Sequence, residues 1–151
     1  MNTDQIQRAR GFAHTCHEGQ FRHDNATPYI IHPEVVASIV EQLGGGEQEI
    51  TVAWLHDTME DCVQQGVTHP VLAERFDLII ADAVEALTHR EGESYPDSIA
   101  RAMANPIAHR VKIADNLANL SDSPSRKQVA KYAASLIQLL SAHFPSTPTT
   151  L

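Results

Sequence analysis

The chain has 151 residues, enough for one domain with a substantial core, and it has no run of about 18 apolar residues that could span a membrane. Its formal net charge is −8, with 11 Lys and Arg against 19 Asp and Glu. That balance leaves no broad basic surface and excludes non-specific nucleic-acid binding; an anionic small molecule would need a local cationic site and a metal ion to offset the protein's own charge.

Two cysteines, Cys16 and Cys62, are too few for a disulfide framework. The N-terminus lacks the basic-then-apolar pattern of a signal peptide. A reduced cytoplasmic setting is the expectation. Hydrophobic residues make up 42% and aromatics 5%, which fits helices packed through Ala, Leu, Val and Ile.

In chain order, the first predicted helix runs from Thr3 to Glu18 and closes at Gly19. Residues Gln20 to Ile31 read as an irregular polar loop. His32-Pro33 marks a helix start with Pro33 at the first helical position, where its missing N–H does no harm. Val35, Val36, Ile39, Val40 and Leu43 form its apolar stripe, and Gly44-Gly45-Gly46 stops it. A helix over Gln48–Cys62 follows. Pro70 opens the next stretch, which carries Phe76, Ile79, Ile80, Ala83, Val84 and Leu87 at helical spacing. Pro96 starts a short helix through Met103. Asn105-Pro106 starts another, with Asn as cap, and Ser123-Pro124 repeats the device for a last helix ending near His143. The expectation is one all-α domain of about six to eight helices over 1–144, with a frayed tail over 145–151.

The chemistry concentrates in Trp54-Leu55-His56-Asp57-Thr58-Met59-Glu60-Asp61. Burying one imidazole and three carboxylates together is costly unless they are paired or bind a metal. At about 100° per residue, His56 and Glu60 share one helix face, and Asp57 and Asp61 share its neighbour. One ion at the edge between those faces could be held by His56 and Asp57. Two more segments could complete such a site. His32 lies at a helix start between apolar residues; taken alone it reads as a capping or core histidine. Lys112, Asp115 and Asn119 make a polar stripe on an otherwise apolar helix, which alone reads as a solvated face with a Lys–Asp pair.

Three blocks occur in order: Pro28-Tyr29-Ile30-Ile31-His32-Pro33, Leu55-His56-Asp57-Thr58-Met59-Glu60-Asp61, and Val111 to Leu120 with Asp115 and Asn119. Together they resemble the HD-domain phosphohydrolases, and more narrowly the alarmone-hydrolase branch found in Rel/SpoT enzymes and small standalone hydrolases. The resemblance covers about Ala9 to Leu140. It implies a single HD-type helical bundle. It implies His32, His56, Asp57 and Asp115 as metal ligands, and Glu60 and Asp61 as the catalytic acidic pair beside the attacking water. Arg22 would lie against the base, Asn119 would contact the nucleoside, and Tyr132 would approach the ribose or 3′ phosphates. His23 stands where the family usually has Lys. Two imidazoles and two carboxylates without a thiolate suit a divalent ion such as Mn²⁺, Fe²⁺ or Zn²⁺, and the resemblance favours Mn²⁺.

The implied reaction is hydrolysis of the 3′-diphosphate of a guanosine alarmone (ppGpp or pppGpp) to pyrophosphate and GDP or GTP. Two alternatives remain. One is hydrolysis of another phosphorylated nucleotide: an adenosine alarmone, the 2′-phosphate of NADPH or a nucleoside monophosphate. The other is a nucleotide-sensing module without catalysis. His14 and His17 read as helix-face residues and Cys62 as a small buried filler. Arg126, Lys127 and Lys131 either lend positive charge to a phosphate-rich ligand or are ordinary solvated side chains. The loop from Arg90 to Tyr95 has no assignable role.

Overall fold

The computed structural model describes residues 3–141; the expected tail over 145–151 and the expected helix end near His143 lie outside them. The described residues form nine α-helices: α1 (Thr3–Cys16), α2 (Ile31–Gln42), α3 (Glu47–Leu55), α4 (Thr58–Asp61), α5 (His69–Arg75), α6 (Leu78–Leu87), α7 (Tyr95–Met103), α8 (Pro106–Ser121) and α9 (Arg126–Ser141). Extended backbone pairs in one isolated bridge, Phe21 with Pro28, inside the α1–α2 loop.

Helix α3 is the hub. Its residues Ile50 to Leu55 are all buried, as expected of a helix that is apolar all round. Helices α1, α2, α6 and α8 pack on it, α5 pairs with α6, and α9 lies across α7 and α8. The residues at these contacts are small or branched: Ala9, Ala13, Val36, Val40, Val52, Ala53, Val111 and Ala114 are buried in one cluster. Short side chains let the helix axes approach closely, and this draws α2, α3 and α8 together at one point.

Three boundaries differ from the sequence reading. The helix expected over Gln48–Cys62 breaks at His56-Asp57 into α3 and α4. Asp57 sits at φ −96°, ψ −6°, the sparsely allowed bridge region, and the Thr58 hydroxyl donates to the Leu55 carbonyl at 2.7 Å, competing with the helical ladder. The stretch opened by Pro70 is two helices, because the Asp77 carboxylate accepts from the Ile80 amide at 2.8 Å and caps a new start at α6. Helix α9 begins one step later than Ser123-Pro124 implies. Its cap is Ser125, whose amide donates to Gln128 Oε1 at 2.8 Å while its hydroxyl accepts from the Gln128 amide at 3.2 Å, a reciprocal capping box. The Asn105 cap stands as expected, accepting from the Ile107 and Ala108 amides at 3.0 Å.

Two glycines test this packing in opposite directions. A Cβ on Gly45 would meet Val40 Cγ1 and lie 2.8 Å from the Val40 carbonyl oxygen, whereas one on Gly11, inside α1, would meet nothing within 4 Å. Gly45→Ala is expected to destabilise by about 1–3 kcal/mol through overpacking. Gly11→Ala is expected to stabilise by about 0.5–1 kcal/mol through the lower entropy of the unfolded chain. Chemical denaturation of the two variants beside the parent checks both signs.

Candidate functional site

The break after α3 turns His56 and Asp57 toward the start of α2 and the middle of α8. His32, His56 and Asp57 offer ligand atoms that all lie within 4.8 Å of one another. His56 Nε2 is 3.0 Å and His32 Nε2 3.7 Å from Asp57 Oδ2. Asp115 Oδ1 closes the group at 3.1 Å from His32 Nε2 and 3.9 Å from His56 Nε2. His32, His56 and Asp115 are buried. His56 Nδ1 bonds the Ala53 carbonyl at 2.7 Å, which makes that nitrogen the N–H and leaves Nε2 facing the carboxylates. His56 Nε2 is buried without a hydrogen-bond partner among the described residues: the Asp57 oxygen is near but off the bonding direction. Such an atom, with a second imidazole and two carboxylates around it, is a donor set fitted to a divalent ion.

The group is held from outside. The Tyr29 hydroxyl donates to Asp57 Oδ2 at 2.7 Å. Lys112 Nζ donates to Asp115 Oδ2 at 2.8 Å, and Asn119 Nδ2 donates to Asp115 Oδ1 at 2.7 Å. Arg22 Nη2 reaches Asn119 Oδ1 at 3.2 Å and pairs with Asp122 Oδ2 at 2.9 Å. These contacts set the ionisation. Burial works against charge on Asp57 and Asp115, yet His56 beside the first and Lys112 beside the second hold both carboxyls well below the usual range. Burial likewise works against a charged His56, but the Asp57 carboxylate outweighs it and raises the imidazole to about 9. Burial and then the Asp57 charge push the Tyr29 phenol far up, so it stays a donor.

In front of the group lies a cavity of about 530 Å³, lined by Arg22, Tyr29, His32, His56, Asp57, Glu60, Leu87, His89, Glu93, Tyr95, Ser98, Lys112, Asp115, Asn119, Lys131 and Tyr132. That volume lies in the range of small-molecule sites, about 300–1,000 Å³. A groove of about 490 Å³ between α1 and α5 has no carboxylate or imidazole in its lining. A second group, His69 with Asp82 and Glu85, sits at the solvent face of α5 and α6.

The HD-domain family matches residues 9–143. The chain belongs to the HD-domain family. It is 32% identical over 144 residues, 87% of this chain and 20% of the relative, to the guanosine-3′,5′-bis(diphosphate) 3′-pyrophosphohydrolase of Aquifex aeolicus. It is 32% identical over 135 residues, 83% of this chain and 18% of the relative, to the bifunctional (p)ppGpp synthase/hydrolase RelA of Mycobacterium tuberculosis. The chain thus spans about a fifth of the length of these relatives. Its fold is shared with a solved metazoan orthologue of SpoT, a protein described as hydrolysing ppGpp, at TM-score 0.74 and 22% identity over 93% of this chain and 87% of that one. No described helix is long and apolar enough to cross a membrane.

In this HD domain the four residues His32, His56, Asp57 and Asp115 meet, and Glu60, Arg22, Asn119 and Tyr132 line the cavity they face. Asp61 and His23 are not among the lining residues. Asp61 lies beside Tyr29 and Asp57, its carboxyl raised by loss of water and then by the Asp57 charge. His23 is exposed on the α1–α2 loop. Glu60 is restrained from outside the motif: its Oε2 accepts from the His89 amide at 3.1 Å. His14 is exposed as expected, but His17 is not a surface residue. It is buried against the Tyr29 ring at 4.8 Å, its Nδ1 bonded to Gln20 Oε1 at 2.8 Å. Cys62 is fully buried, and burial followed by the Cys16 thiol pushes its own thiol up to about 12, which removes it as a nucleophile.

Sequence reasoning left Tyr29, His89, Glu93 and Tyr95 without roles. Tyr29 had a signal, lying three residues before His32 within the first block; His89 and Glu93 come from the α6–α7 loop and Tyr95 from the first residue of α7, where no helical spacing points to a site.

The raised His56 pKa gives a pH dependence. A metal takes the neutral imidazole, so a proton must leave His56 at any pH below about 9. Affinity for Mn²⁺ is expected to rise by about tenfold per pH unit from pH 6.5 to 8.5, with about one proton released per ion. Titration calorimetry in buffers of different ionisation enthalpy reads both; His56→Ala removes the proton release.

Proposed function

We propose that this HD domain is a metal-dependent phosphohydrolase that removes the 3′-diphosphate of a guanosine alarmone as pyrophosphate. The observation that carries the reading is the convergence of His32, His56, Asp57 and Asp115 at the floor of a cavity whose wall includes Glu60. His32, His56, Asp57 and Asp115 would hold the ion, which when bound polarises a phosphoryl oxygen and acidifies water. The relatives named as 3′-pyrophosphohydrolases support the substrate assignment.

The remaining work falls to the chain's own residues. Tyr29 and Lys112 fix the two carboxylates, so neither swings when substrate arrives. Asp61, behind the cavity wall beside Asp57 and Tyr29, relays the proton that Glu60 draws from the attacking water. Glu60, held by the His89 amide, orients that water. Attack occurs at the phosphorus next to the ribose. The bond from that phosphorus to the 3′ oxygen breaks, pyrophosphate departs with the water's oxygen, and the ribose oxygen takes up the proton removed from the water to become a hydroxyl. Arg22 and Asn119, joined at 3.2 Å, form a polar edge for the base and nucleoside. His23 is exposed and outside the cavity lining.

The Mn²⁺-loaded protein is expected to release pyrophosphate, not orthophosphate, from the guanosine alarmone. Asp61→Asn is expected to lower kcat by about 10²–10⁴-fold while leaving substrate binding within threefold. A product assay separating the two phosphates, with calorimetric binding to the Asn variant, checks both. Orthophosphate as the product would favour a 2′- or 3′-phosphorylated cofactor as substrate, and unchanged cellular function in the Asn variant would favour a sensor.

A further inference from the structure

Three cationic side chains of Arg and Lys line the cavity: Arg22, Lys112 and Lys131. Two are already neutralised, Arg22 by Asp122 at 2.9 Å and Lys112 by Asp115 at 2.8 Å. Lys131, on α9, has no carboxylate within 4.0 Å among the described residues. Its ammonium rests instead on aromatic faces, 4.1 Å from the Tyr95 ring centroid and 5.5 Å from that of Tyr132. Loss of water and then the Lys112 charge lower its pKa, while Asp115 and Glu60 pull the other way. The ammonium is therefore within electrostatic reach of both the ligand group and the acidic wall residue.

The platform under Lys131 is built rigidly. Tyr95 opens α7 behind the Ser94 cap. Its hydroxyl donates to Asn116 Oδ1 at 3.3 Å, and Asn116 Nδ2 donates to the buried Ser135 hydroxyl. Arg101 fixes the loop before it: the guanidinium makes two 2.8 Å bonds to the Glu93 carboxylate and donates to the Glu85, Ala86 and Thr88 carbonyls at 2.7–2.9 Å. The loop from Arg90 to Tyr95 thus has a physical role, that of setting Tyr95 in the wall.

A diphosphate brings two phosphoryl groups, and the one under attack uses the ligand group. The second needs a cation that is not already spent on a carboxylate. An ammonium resting on an aromatic ring is held loosely enough for a phosphate oxygen to claim it, and Lys supplies a compact point charge that suits a terminal phosphate. We propose that Lys131, supported by Tyr95, binds the second phosphate of the substrate's diphosphate and makes the site prefer diphosphate over monophosphate esters. The inference rests on the phosphohydrolase reading above and assigns one determinant within it.

Inorganic pyrophosphate and orthophosphate serve as probes that need no turnover. Calorimetry on the Mn²⁺-loaded protein is expected to show pyrophosphate bound more tightly than orthophosphate. Lys131→Met, which keeps the apolar stem, should weaken pyrophosphate by about tenfold or more and orthophosphate by less than threefold. Lys131→Arg should recover most of the loss, and Tyr95→Leu should show part of it. Equal weakening of both probes, or no weakening, overturns the proposal. In turnover, Lys131→Met should raise KM for the alarmone more than it lowers kcat. Absence of alarmone turnover in the parent with a selective pyrophosphate loss in Lys131→Met would remove the substrate reading and leave the Lys131 assignment standing. Normal turnover with no selective loss would do the reverse.

Discussion

Two carboxylates and two imidazoles held 3.0–3.9 Å apart, largely away from water, are what the rest of the molecule has to support. Charges so placed persist only when each finds compensation. Asp57 receives the Tyr29 hydroxyl, Asp115 receives Lys112 and Asn119, and His56 is tied back to its own helix through the Ala53 carbonyl. The supports come from the α1–α2 loop, from α3 and from α8, so none of these elements can shift without exposing an unpaired charge. The slender aliphatic residues between those helices follow from the same demand, since only a narrow interior lets three axes converge on one point.

The sequence carried a large share of this. The periodicity of α2 and α8 and the Asn105 cap are local signals, and they were legible because each needs only a few neighbouring residues. The three motif blocks named His32, His56, Asp57 and Asp115 before any geometry was available, and the folded chain brings the four together. What escaped was of a different kind. The break between α3 and α4 depends on Thr58 bonding back to Leu55 and on Asp57 taking a bridge conformation, while the surrounding residues are good helix formers. The break at Asp77 could have been seen, since Asp is a strong N-cap, but the apolar spacing ran on through it. His17, just past the end of α1 beside Glu18 and Gly19, gives no hint that Tyr29 will cover it. The roles of Glu93 and Tyr95 arise from pairings with Arg101 on α7, Asn116 on α8 and Lys131 on α9, and single-chain spacing has no access to those.

The site also divides its electrostatics in an orderly way. Carboxylates sit at the floor with their counter-charges already attached, and the cation left without a carboxylate partner stands on α9 at the opposite wall. For a chain with a net charge of −8, that arrangement gives an anion a local destination inside an acidic surround. The long-range field opposes approach, so recognition has to come from contacts made after entry.

Arg101 has a consequence of another kind. Its guanidinium grips main-chain carbonyls and a single carboxylate, and it holds the loop in place whatever side chains the loop presents at 89–92. Lys131, for its part, stands in the second turn of α9, a helix with few buried residues. Wall residues can therefore be exchanged without disturbing the interior that keeps the molecule folded. Rim and scaffold are thereby separable: one can be recut while the other stays intact.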